Sequence, residues 1–432
     1  MEKTQIRKLL GFYENELTNN ILFFWDEKCV DMENGGFFNC FNNRGEVLVS
    51  RDKYTWSQGR FVWLFSKLAM TDCGTFSSGQ RARFLDYAKR GKDFLAKHVL
   101  LGENDWRCVF LLDEKGNPKE VEGYGSRLDL SISADEFVLS GFARYSRAAN
   151  DAAAYHFAKN LYLSVKKRFD ELNYMSLPYA VPKKYRSHGT PMGFTNVTFE
   201  LYEAALLFDP EFAGGLRNVL KDNVTDILDN FVDDSFVLRE FINRADNAQL
   251  PSLLGQHMNP GHILEDMWFM VQATDAYAKD CCLDKLSAVS KATLNRGWDE
   301  EFGGLLHFCG VNGGKPEGVL EPDTDEPMLK LVQRSWDDKL WWIHSEALYT
   351  TLLLYARTGD NSFLAWHDRV FEYAFEKHSN PDREVREWVQ ILTRDGKPQE
   401  KVVALPVKDP YHIARNLIYI VELLYDMLAA NG

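Results

Sequence analysis

Residues 303–308 (GGLLHF) form a short β-type segment, and two helical stretches follow it at residues 341–357 and 363–377. Apolar residues recur at three- and four-residue spacing in both stretches, which is the pattern of amphipathic helices. A glycine pair followed by a short apolar run is typical of a hairpin strand. One hairpin followed by two helices is therefore the predicted repeating unit of this chain.

The same unit recurs along the chain. Further amphipathic stretches cover residues 84–98, 136–149, 155–168 and 263–278. The other β-type segments are residues 35–38 (GGFF) with 43–45 (NRG), 108–111 (CVFL) with 114–117 (EKGN), 174–177 (YMSL), 236–241 (FVLREF), and 387–391 (EWVQI) with 394–397 (RDGK). Internal repetition of this kind indicates a repeat architecture, here with six units.

Two helices and one hairpin, repeated six times, predict an all-α fold: an (α/α)6 barrel, or toroid, with short β-hairpins in the inter-helix loops. The alternative is an open α-solenoid that binds a peptide or protein, but solenoid repeats usually run about 30 to 50 residues and lack recurrent hairpins. No linker rich in Pro, Gly or Ser divides the chain, so residues 1–432 are predicted to form a single barrel domain. The stretch at residues 310–327 is interpreted as a long loop.

Composition excludes several classes of protein. A formal net charge of -13 provides no basic surface to meet phosphates, which argues against a nucleic-acid partner. No segment approaches the run of about 18 apolar residues of a membrane span, and residues 1–4 (MEKT) lead into charged sequence without a signal-peptide core. Seven cysteines without CxxC spacing indicate free thiols in a reducing compartment. We therefore expect a cytoplasmic protein.

A four-residue pattern occurs twice, at residues 259–262 (NPGH) and 409–412 (DPYH). Asn and Asp suit a helix N-cap, and Pro suits the first helical position. His262 and His412 would then lie in a first helical turn, where the helix dipole favours a neutral imidazole that can accept a proton. A single histidine there is commonly structural, but the repetition of the whole pattern predicts a pair of acid/base groups.

Two further segments contribute candidate residues. Residues 52–60 (DKYTWSQGR) place Arg60 where a helix begins, either paired with a carboxylate or facing a substrate. Residues 336–347 (WDDKLWWIHSEA) are the densest aromatic and polar block, in which His344 and Glu346 are two apart and cannot both face one cavity squarely. Glu265 is three residues after His262 and shares its helix face.

These segments together resemble the N-acylglucosamine 2-epimerase family, which includes the renin-binding protein, cellobiose 2-epimerases and aldose–ketose isomerases. The resemblance covers the chain from about residue 10 onward and also includes residues 35–38 (GGFF) and residues 297–299 (GWD) with 303–305 (GGL). It implies an (α/α)6 barrel, in agreement with the repeats.

The resemblance also implies roles for individual residues. His262 and His412 would be the paired acid/base histidines, and Arg60 would stabilise the oxyanion of an enediolate formed by deprotonation next to a sugar carbonyl. The predicted substrate-binding residues are Glu265, His344, Glu346, Trp342, Tyr54, His188, Asn196, Glu240 and Arg415.

Departures from the family pattern concern the substrate. Pro410 stands where the N-acylglucosamine branch commonly has Cys, and Glu200 stands where cellobiose epimerases and sulfoquinovose isomerases usually carry a His. His344 resembles the N-acylglucosamine branch, and His188 has no clear family equivalent. The first expectation is a sugar isomerase that interconverts C2 epimers of a reducing sugar, N-acyl-D-glucosamine and N-acyl-D-mannosamine.

Alternatives remain at this point. One is an aldose–ketose isomerase acting on a simple hexose such as mannose. Another is a glycoside hydrolase, for which Glu240, Glu265 and Glu346 offer carboxylates, and a third is a non-catalytic binding protein.

No HExxH pattern or glycine-rich phosphate loop occurs, so we expect no metal and no cofactor, with nucleotide activation left open. The expected partner is a small-molecule sugar, with neither nucleic acid nor membrane, and a homodimer is an open alternative to a monomer.

Overall fold

A computed structural model describes residues 1–320, 326–403 and 405–430. In this part of the chain the helices are α1 (Lys3–Asn15), α2 (Leu22–Lys28), α3 (Thr55–Met70), α4 (Ser78–His98), α5 (Ile132–Ala149), α6 (Ala152–Asp170), α7 (Gly189–Phe208), α8 (Pro210–Asp226), α9 (Pro260–Tyr277), α10 (Leu283–Gly297), α11 (Pro327–Ser335), α12 (Trp341–Thr358), α13 (Asn361–Lys377) and α14 (Tyr411–Ala430). Of the predicted loop at residues 310–327, positions 321–325 lie outside the described residues. None of the described helices has the length and apolar composition to cross a membrane.

The strands are short: β1 (Lys53–Tyr54), β2 (Leu100–Gly102), β3 (Asp105–Cys108), β4 (Leu111–Leu112), β5 (Tyr185–Ser187), β6 (Phe241–Asn243), β7 (His257–Met258), β8 (Cys309–Gly310), β9 (Lys339–Leu340) and β10 (Ile391–Leu392). They form antiparallel pairs, and only β2 with β3 is a local hairpin among those described. The remaining pairs are β1 with β4, β5 with β6, β7 with β8, and β9 with β10, all distant in sequence.

The predicted hairpins are thus present mainly as single bridges, such as Val30 with Phe37, Val232 with Leu238 and Trp298 with Leu305. The prediction of short hairpin segments between the helices is confirmed by these local bridges, whereas the ladders that join strands distant in sequence were not predicted. Strand pairing depends on packing against distant partners, which short-range patterns do not contain.

The chain falls into two compact units, each assembled from separate segments. Unit 1 comprises Met1–Pro178, Val197–Leu216 and Leu405–Gly432, and unit 2 comprises Tyr179–Asn196 and Arg217–Ala404. Two of the four boundaries pass through helices α7 and α8. The single-domain prediction for residues 1–432 is not tested by this division and stays a prediction.

Two kinds of helix alternate in unit 1. Helices α3, α5 and α14 are buried on nearly every face, whereas α4 and α6 bury one stripe and expose the rest. A helix that is apolar all round belongs in a core, and an amphipathic helix covers it. Gly59 allows α3 and α5 to meet, because a Cβ there would lie 2.4 Å from the carbonyl carbon of Phe137.

Unit 2 has the same two kinds of helix. Helices α9 and α12 are buried along most of their length, and α10 and α13 are amphipathic. Gly261 allows α9 to approach α12, since a Cβ at this position would lie 2.3 Å from the Trp342 ring. This close contact positions the start of α9 against an aromatic surface.

Each unit also contains a buried lysine at the start of a core helix. In unit 1, Lys53 Nζ donates to Asp31 at 2.7 Å and to the carbonyl oxygen of Gly35 at 2.6 Å. In unit 2, Lys339 Nζ donates to Asp299 at 3.1 Å and to the carbonyl oxygen of Gly303 at 2.7 Å. The lysines therefore tie a glycine-pair loop to the strand that precedes α3 or α12, which is a structural role.

Candidate active site

The first turn of α9 presents His262 as predicted. Asn259 is the N-cap, and its side-chain oxygen accepts a hydrogen bond from the backbone N–H of His262 at 3.2 Å. Pro260 occupies the first helical position. The His262 side chain is 18% exposed at the end of a largely buried helix, so it is held firmly and remains accessible.

His262 contacts a buried carboxylate and two aromatic rings. Its Nδ1 lies 3.3 Å from both carboxylate oxygens of Glu240. The ring centroid is 5.6 Å from that of Trp342 and 6.2 Å from that of Tyr179. Burial alone would raise the pKa of Glu240, but the neighbouring His262 and His188 outweigh burial and hold this pKa well below its usual range. An ionised Glu240 only accepts hydrogen bonds, so Nδ1 of His262 is the donor.

His188 lies behind Glu240 and is fully buried. Its Nε2 is 2.8 Å from Asp266 Oδ2, and its Nδ1 is 3.7 Å from Glu240 Oε2. Burial would lower the pKa of His188, but the two carboxylates raise it to about 9. Four ionisable side chains of unit 2 thus form a continuous chain from Asp266 to His262.

Three other predicted residues of unit 2 lie on core helices. Glu265 is buried on α9, one turn after His262, and Asn196 is buried on α7. Glu346 is buried on α12, where its carboxylate accepts a hydrogen bond from Trp268 Nε1 at 2.8 Å. Substrate binding by these side chains stays a prediction.

His344 is held by the backbone at both ring nitrogens. Nδ1 lies 2.8 Å from the carbonyl oxygen of Leu340, and Nε2 accepts from the backbone N–H of Leu305 at 3.0 Å. The ring stacks on Tyr373 at 5.0 Å, and burial lowers the pKa of His344 well below its ordinary value. A neutral imidazole with both nitrogens engaged is a packing element, so these contacts do not favour the predicted contact with substrate.

In unit 1, Arg60 forms a buried ion pair with Asp409. The guanidinium lies over the rings of Phe137, Tyr411 and Trp56, at 4.0, 4.8 and 5.0 Å from their centroids. Arg60 lies on α3, but the helix begins five residues earlier, at Thr55, than the predicted start near Arg60. The structure places Arg60 against the second of the two repeated four-residue patterns. Its Nε is buried without a hydrogen-bond partner in the described part of the chain, so one donor is not used by the protein contacts.

The second pattern is not an exact copy of the first. Helix α14 begins at Tyr411, one residue later than the comparison with α9 predicts. Asp409 accepts a hydrogen bond from the backbone N–H of Tyr411 at 2.7 Å with one oxygen and pairs with Arg60 through the other. Its carboxylate therefore serves both the helix start and the arginine, a double role that Asn259 does not have.

His412 contacts a cation where His262 contacts an anion. Arg415 Nη2 donates to Nδ1 of His412 at 3.3 Å. A guanidinium only donates, so in this arrangement Nδ1 is the acceptor and the ring hydrogen lies on Nε2. Both side chains are buried, and the Arg415 guanidinium also lies 4.5 Å from the Tyr411 ring centroid.

Tyr54 ends β1 next to the start of α3. Its ring meets Phe110 edge to face at 5.7 Å, and burial raises the pKa of its hydroxyl to about 12. A neutral phenol is suited to hydrogen bonding rather than to proton transfer near neutral pH. The predicted contact with substrate stays a prediction.

The position of Glu200 is explained by a partner that the sequence did not identify. Arg144 on α5 binds the Glu200 carboxylate with two hydrogen bonds, Nε to Oε2 at 3.0 Å and Nη2 to Oε1 at 2.6 Å. Both side chains are buried in unit 1. Glu200 is therefore one half of a bidentate ion pair.

Two functional neighbours were missed by sequence reasoning: Asp266, which binds His188, and Asp409, which binds Arg60. Asp266 follows His262 by one helical turn, so its spacing was a usable signal. The Asp409–Arg60 pair joins residues at opposite ends of the sequence, and no local pattern indicates it.

Proton transfer is the chemistry that this arrangement supports best. A histidine whose Nδ1–H is held by a carboxylate can accept a proton at Nε2. A glycoside hydrolase needs a general acid with a raised pKa beside an ionised carboxylate, and the low pKa of Glu240 excludes Glu240 from the general-acid role. The contact between Glu240 and His262 therefore favours a histidine acid/base over Glu240 as a general acid.

The model of the N-acylglucosamine 2-epimerase (GlcNAc 2-epimerase) family matches residues 36–415. A Bos taurus protein named N-acylglucosamine 2-epimerase is 30% identical over 95% of this chain and 90% of its own length. A cellobiose 2-epimerase from Ruminococcus albus is 24% identical over 94% of this chain and 97% of its own.

Among solved structures, cellobiose 2-epimerase from Bacillus thermoamylovorans B4167 superimposes with a TM-score of 0.75 at 19% identity, covering 96% of this chain and 99% of that one. This likeness shows the fold, and it confirms the predicted (α/α)6 barrel. Because the family model spans both units and every predicted catalytic residue, the chain belongs to the N-acylglucosamine 2-epimerase family of carbohydrate epimerases.

Proposed function

We propose that this protein is a carbohydrate 2-epimerase that interconverts N-acyl-D-glucosamine and N-acyl-D-mannosamine. The observation that carries the proposal is the accessible His262 at the start of α9, held through Nδ1 by the ionised Glu240. The similarity to the bovine enzyme named for this reaction supports the choice of an N-acyl hexosamine.

The proposed reaction removes the proton at carbon 2 of the open-chain sugar and returns a proton to the opposite face. A base beside the carbon and cationic donors beside the oxygen are needed, because the intermediate is an enediolate. We assign the acid/base roles to His262 and His412 and the oxyanion contact to Arg60. The cation–π contacts and the ion pair with Asp409 hold the plane of the Arg60 guanidinium.

The direct test is incubation with a panel of reducing sugars in deuterated water, followed by proton NMR. N-acetyl-D-mannosamine should yield N-acetyl-D-glucosamine with deuterium at carbon 2. Conversion of mannose to fructose with no reaction of the N-acetyl sugar would instead establish the aldose–ketose isomerase. Hydrolysis of a glycoside without exchange at carbon 2 would establish the hydrolase.

Metal independence is part of the proposal, since Arg60 is assigned the stabilisation that a metal would otherwise supply. Treatment with EDTA and dialysis should leave turnover unchanged. A loss that Mg²⁺ or Mn²⁺ restores would contradict it. Addition of ATP to the dialysed enzyme tests nucleotide activation in the same assay.

We also propose a cytoplasmic location, supported by seven cysteines that are all free thiols. The net charge of -13 supports the proposed absence of a nucleic-acid partner. Light scattering of the purified protein distinguishes the homodimer from the monomer.

A further inference from the structure

His188 is a buried titratable group that the proposed reaction does not use. It is fully buried, and it lies between the carboxylates of Asp266 and Glu240. Two carboxylates and one imidazole in a core are costly to bury unless they compensate one another. A side chain kept at that cost at the back of a catalytic histidine calls for a function.

The backbone fixes His188 and Glu240 against each other. Strands β5 and β6 pair Ser187 with Phe241, the neighbours of the two residues. The backbone N–H of His188 also donates to the carbonyl oxygen of Glu240 at 2.9 Å. The side chains therefore leave adjacent points of one short ladder and cannot shift independently.

Helix α9 closes the arrangement from the other side. It supplies His262, which meets Glu240, and Asp266 one turn later, which meets His188. The contacts run in a ring: from α9 through Asp266 to His188, then through Glu240 to His262 and back to α9. A ring of this kind sets the rotamer of each member through the others.

We infer that His188 is a positioning residue: it orients the Glu240 carboxylate so that this group holds the hydrogen of His262 on Nδ1 and leaves Nε2 to exchange the substrate proton. The exchange of the substrate proton rests on the proposed function, whereas the tautomer of His262 is a property of the protein alone. His188 and Glu240 thereby act through His262 instead of contacting substrate, which replaces the substrate-binding role expected from the sequence.

The charges around His188 support this role. Asp266 and Glu240 face it directly, and His262 and His257 are the further ionisable groups near Glu240. The two carboxylates keep His188 protonated by raising its pKa to about 9. A protonated His188 donates to Asp266 through Nε2 and faces Glu240 Oε2 with Nδ1–H at 3.7 Å, so its contact with Glu240 is an ion pair that holds the carboxylate beside His262.

The test measures the tautomer directly. Protein labelled with 15N-histidine reports whether the hydrogen of neutral His262 lies on Nδ1 or Nε2, with a His262→Gln sample to assign the signals. We expect the Nδ1–H form in the wild type and a shift toward Nε2–H in Glu240→Gln and His188→Gln. Asp266→Asn provides a third variant that retains the His188 ring. An unchanged tautomer in all three variants would overturn the inference.

Kinetics give a second readout. We expect kcat to fall about a hundredfold or more in Glu240→Gln and about tenfold in His188→Gln, with KM changed less than about twofold, because the wrong tautomer affects proton transfer and not binding. His378→Gln is the matched control, since His378 is another buried histidine, with Nδ1 at 2.8 Å from the Val389 carbonyl oxygen. It should lose thermal stability but keep kcat within about twofold.

If His188→Gln has a lower Tm, a normal kcat and an unchanged His262 tautomer, His188 has only a structural role. If the wild type fails to epimerise any sugar, the proposed function fails. The NMR measurement on the free protein still decides the positioning role in that case.

Discussion

At the scale of single residues, the two proposed acid/base histidines have opposite neighbours. Nδ1 of His262 is held by the Glu240 carboxylate, whereas Nδ1 of His412 accepts a hydrogen bond from the Arg415 guanidinium. These contacts favour different tautomers, with Nε2 an acceptor in His262 and a donor in His412. Two residues that are equivalent in the sequence pattern are therefore chemically distinct.

This difference leads to a prediction for the histidine variants. His262→Gln and His412→Gln should each lower epimerisation about a hundred- to ten-thousandfold, the usual contribution of acid/base catalysis. Each variant keeps one histidine, which can remove the carbon 2 proton from only one of the two epimers. For a given sugar, exchange of that proton with deuterated water should therefore differ between the two variants. Turnover within about tenfold of wild type in both variants would contradict the two-histidine mechanism.

Arg60 has both a structural and a proposed catalytic role, and a variant can separate them. Lys keeps the charge toward Asp409 but loses the planar fork and the contacts with three aromatic rings. We expect Arg60→Lys to lower kcat about a hundred- to a thousandfold, as for loss of an oxyanion donor, with a much smaller change in KM. Steady-state kinetics and Tm are measured on the same preparation.

Asp409→Asn is the control for that experiment, since it removes the ion pair and keeps the guanidinium. It should lower Tm and reduce kcat less than Arg60→Lys does. A destabilised Arg60→Lys enzyme with full turnover would exclude Arg60 from the mechanism.

At the scale of secondary-structure elements, the helix caps decide where the site residues are presented. Asn259 caps α9 through the backbone N–H of His262 itself. Asp151 caps the amphipathic helix α6 in the same way, through the backbone N–H of Ala154 at 3.0 Å. The two caps are matched in geometry, but only one precedes a proposed catalytic residue.

We therefore predict different outcomes for two equivalent substitutions. Asn259→Ala and Asp151→Ala should each lower the free energy of unfolding by about 1 kcal/mol, measured by urea denaturation. Asn259→Ala should also reduce kcat several-fold because the first turn of α9 frays. Equal kcat values in the two variants would show that the cap does not position His262.

At the scale of the whole molecule, the buried charges make stability depend on pH. The folded-state pKa of His188 is raised to about 9, above the value of about 6.5 expected in the unfolded chain. Its contribution to stability is therefore complete below about pH 6.5 and is lost as pH rises through about 9. The loss amounts to about 3 kcal/mol between these limits.

The measurement compares wild type with His188→Gln, since other groups titrate in both proteins. Tm of the wild type should fall more steeply between pH 6.5 and pH 9. Below about pH 6.5 the two curves should run parallel. A constant difference in Tm over the whole range would mean that His188 does not change its protonation on folding.

Local patterns in the sequence determined much of this protein. The spacing of apolar residues identified most of the amphipathic helices, residues 259–262 identified the start of α9, and the repeated motifs identified the family. These features succeed because helix periodicity and capping depend on residues within a few positions of one another. The same reasoning identified Arg60, His262 and His412 as catalytic candidates.

The tertiary structure alone decided which side chains meet. Most of the described strands pair with partners distant in sequence, Arg60 meets Asp409 near the other end of the chain, and Glu200 meets Arg144. His344 matched a motif for substrate binding, yet both its nitrogens are used by the backbone. The physical reason is common to all these cases: hydrogen-bond partners and burial depend on long-range packing, which a local pattern does not specify.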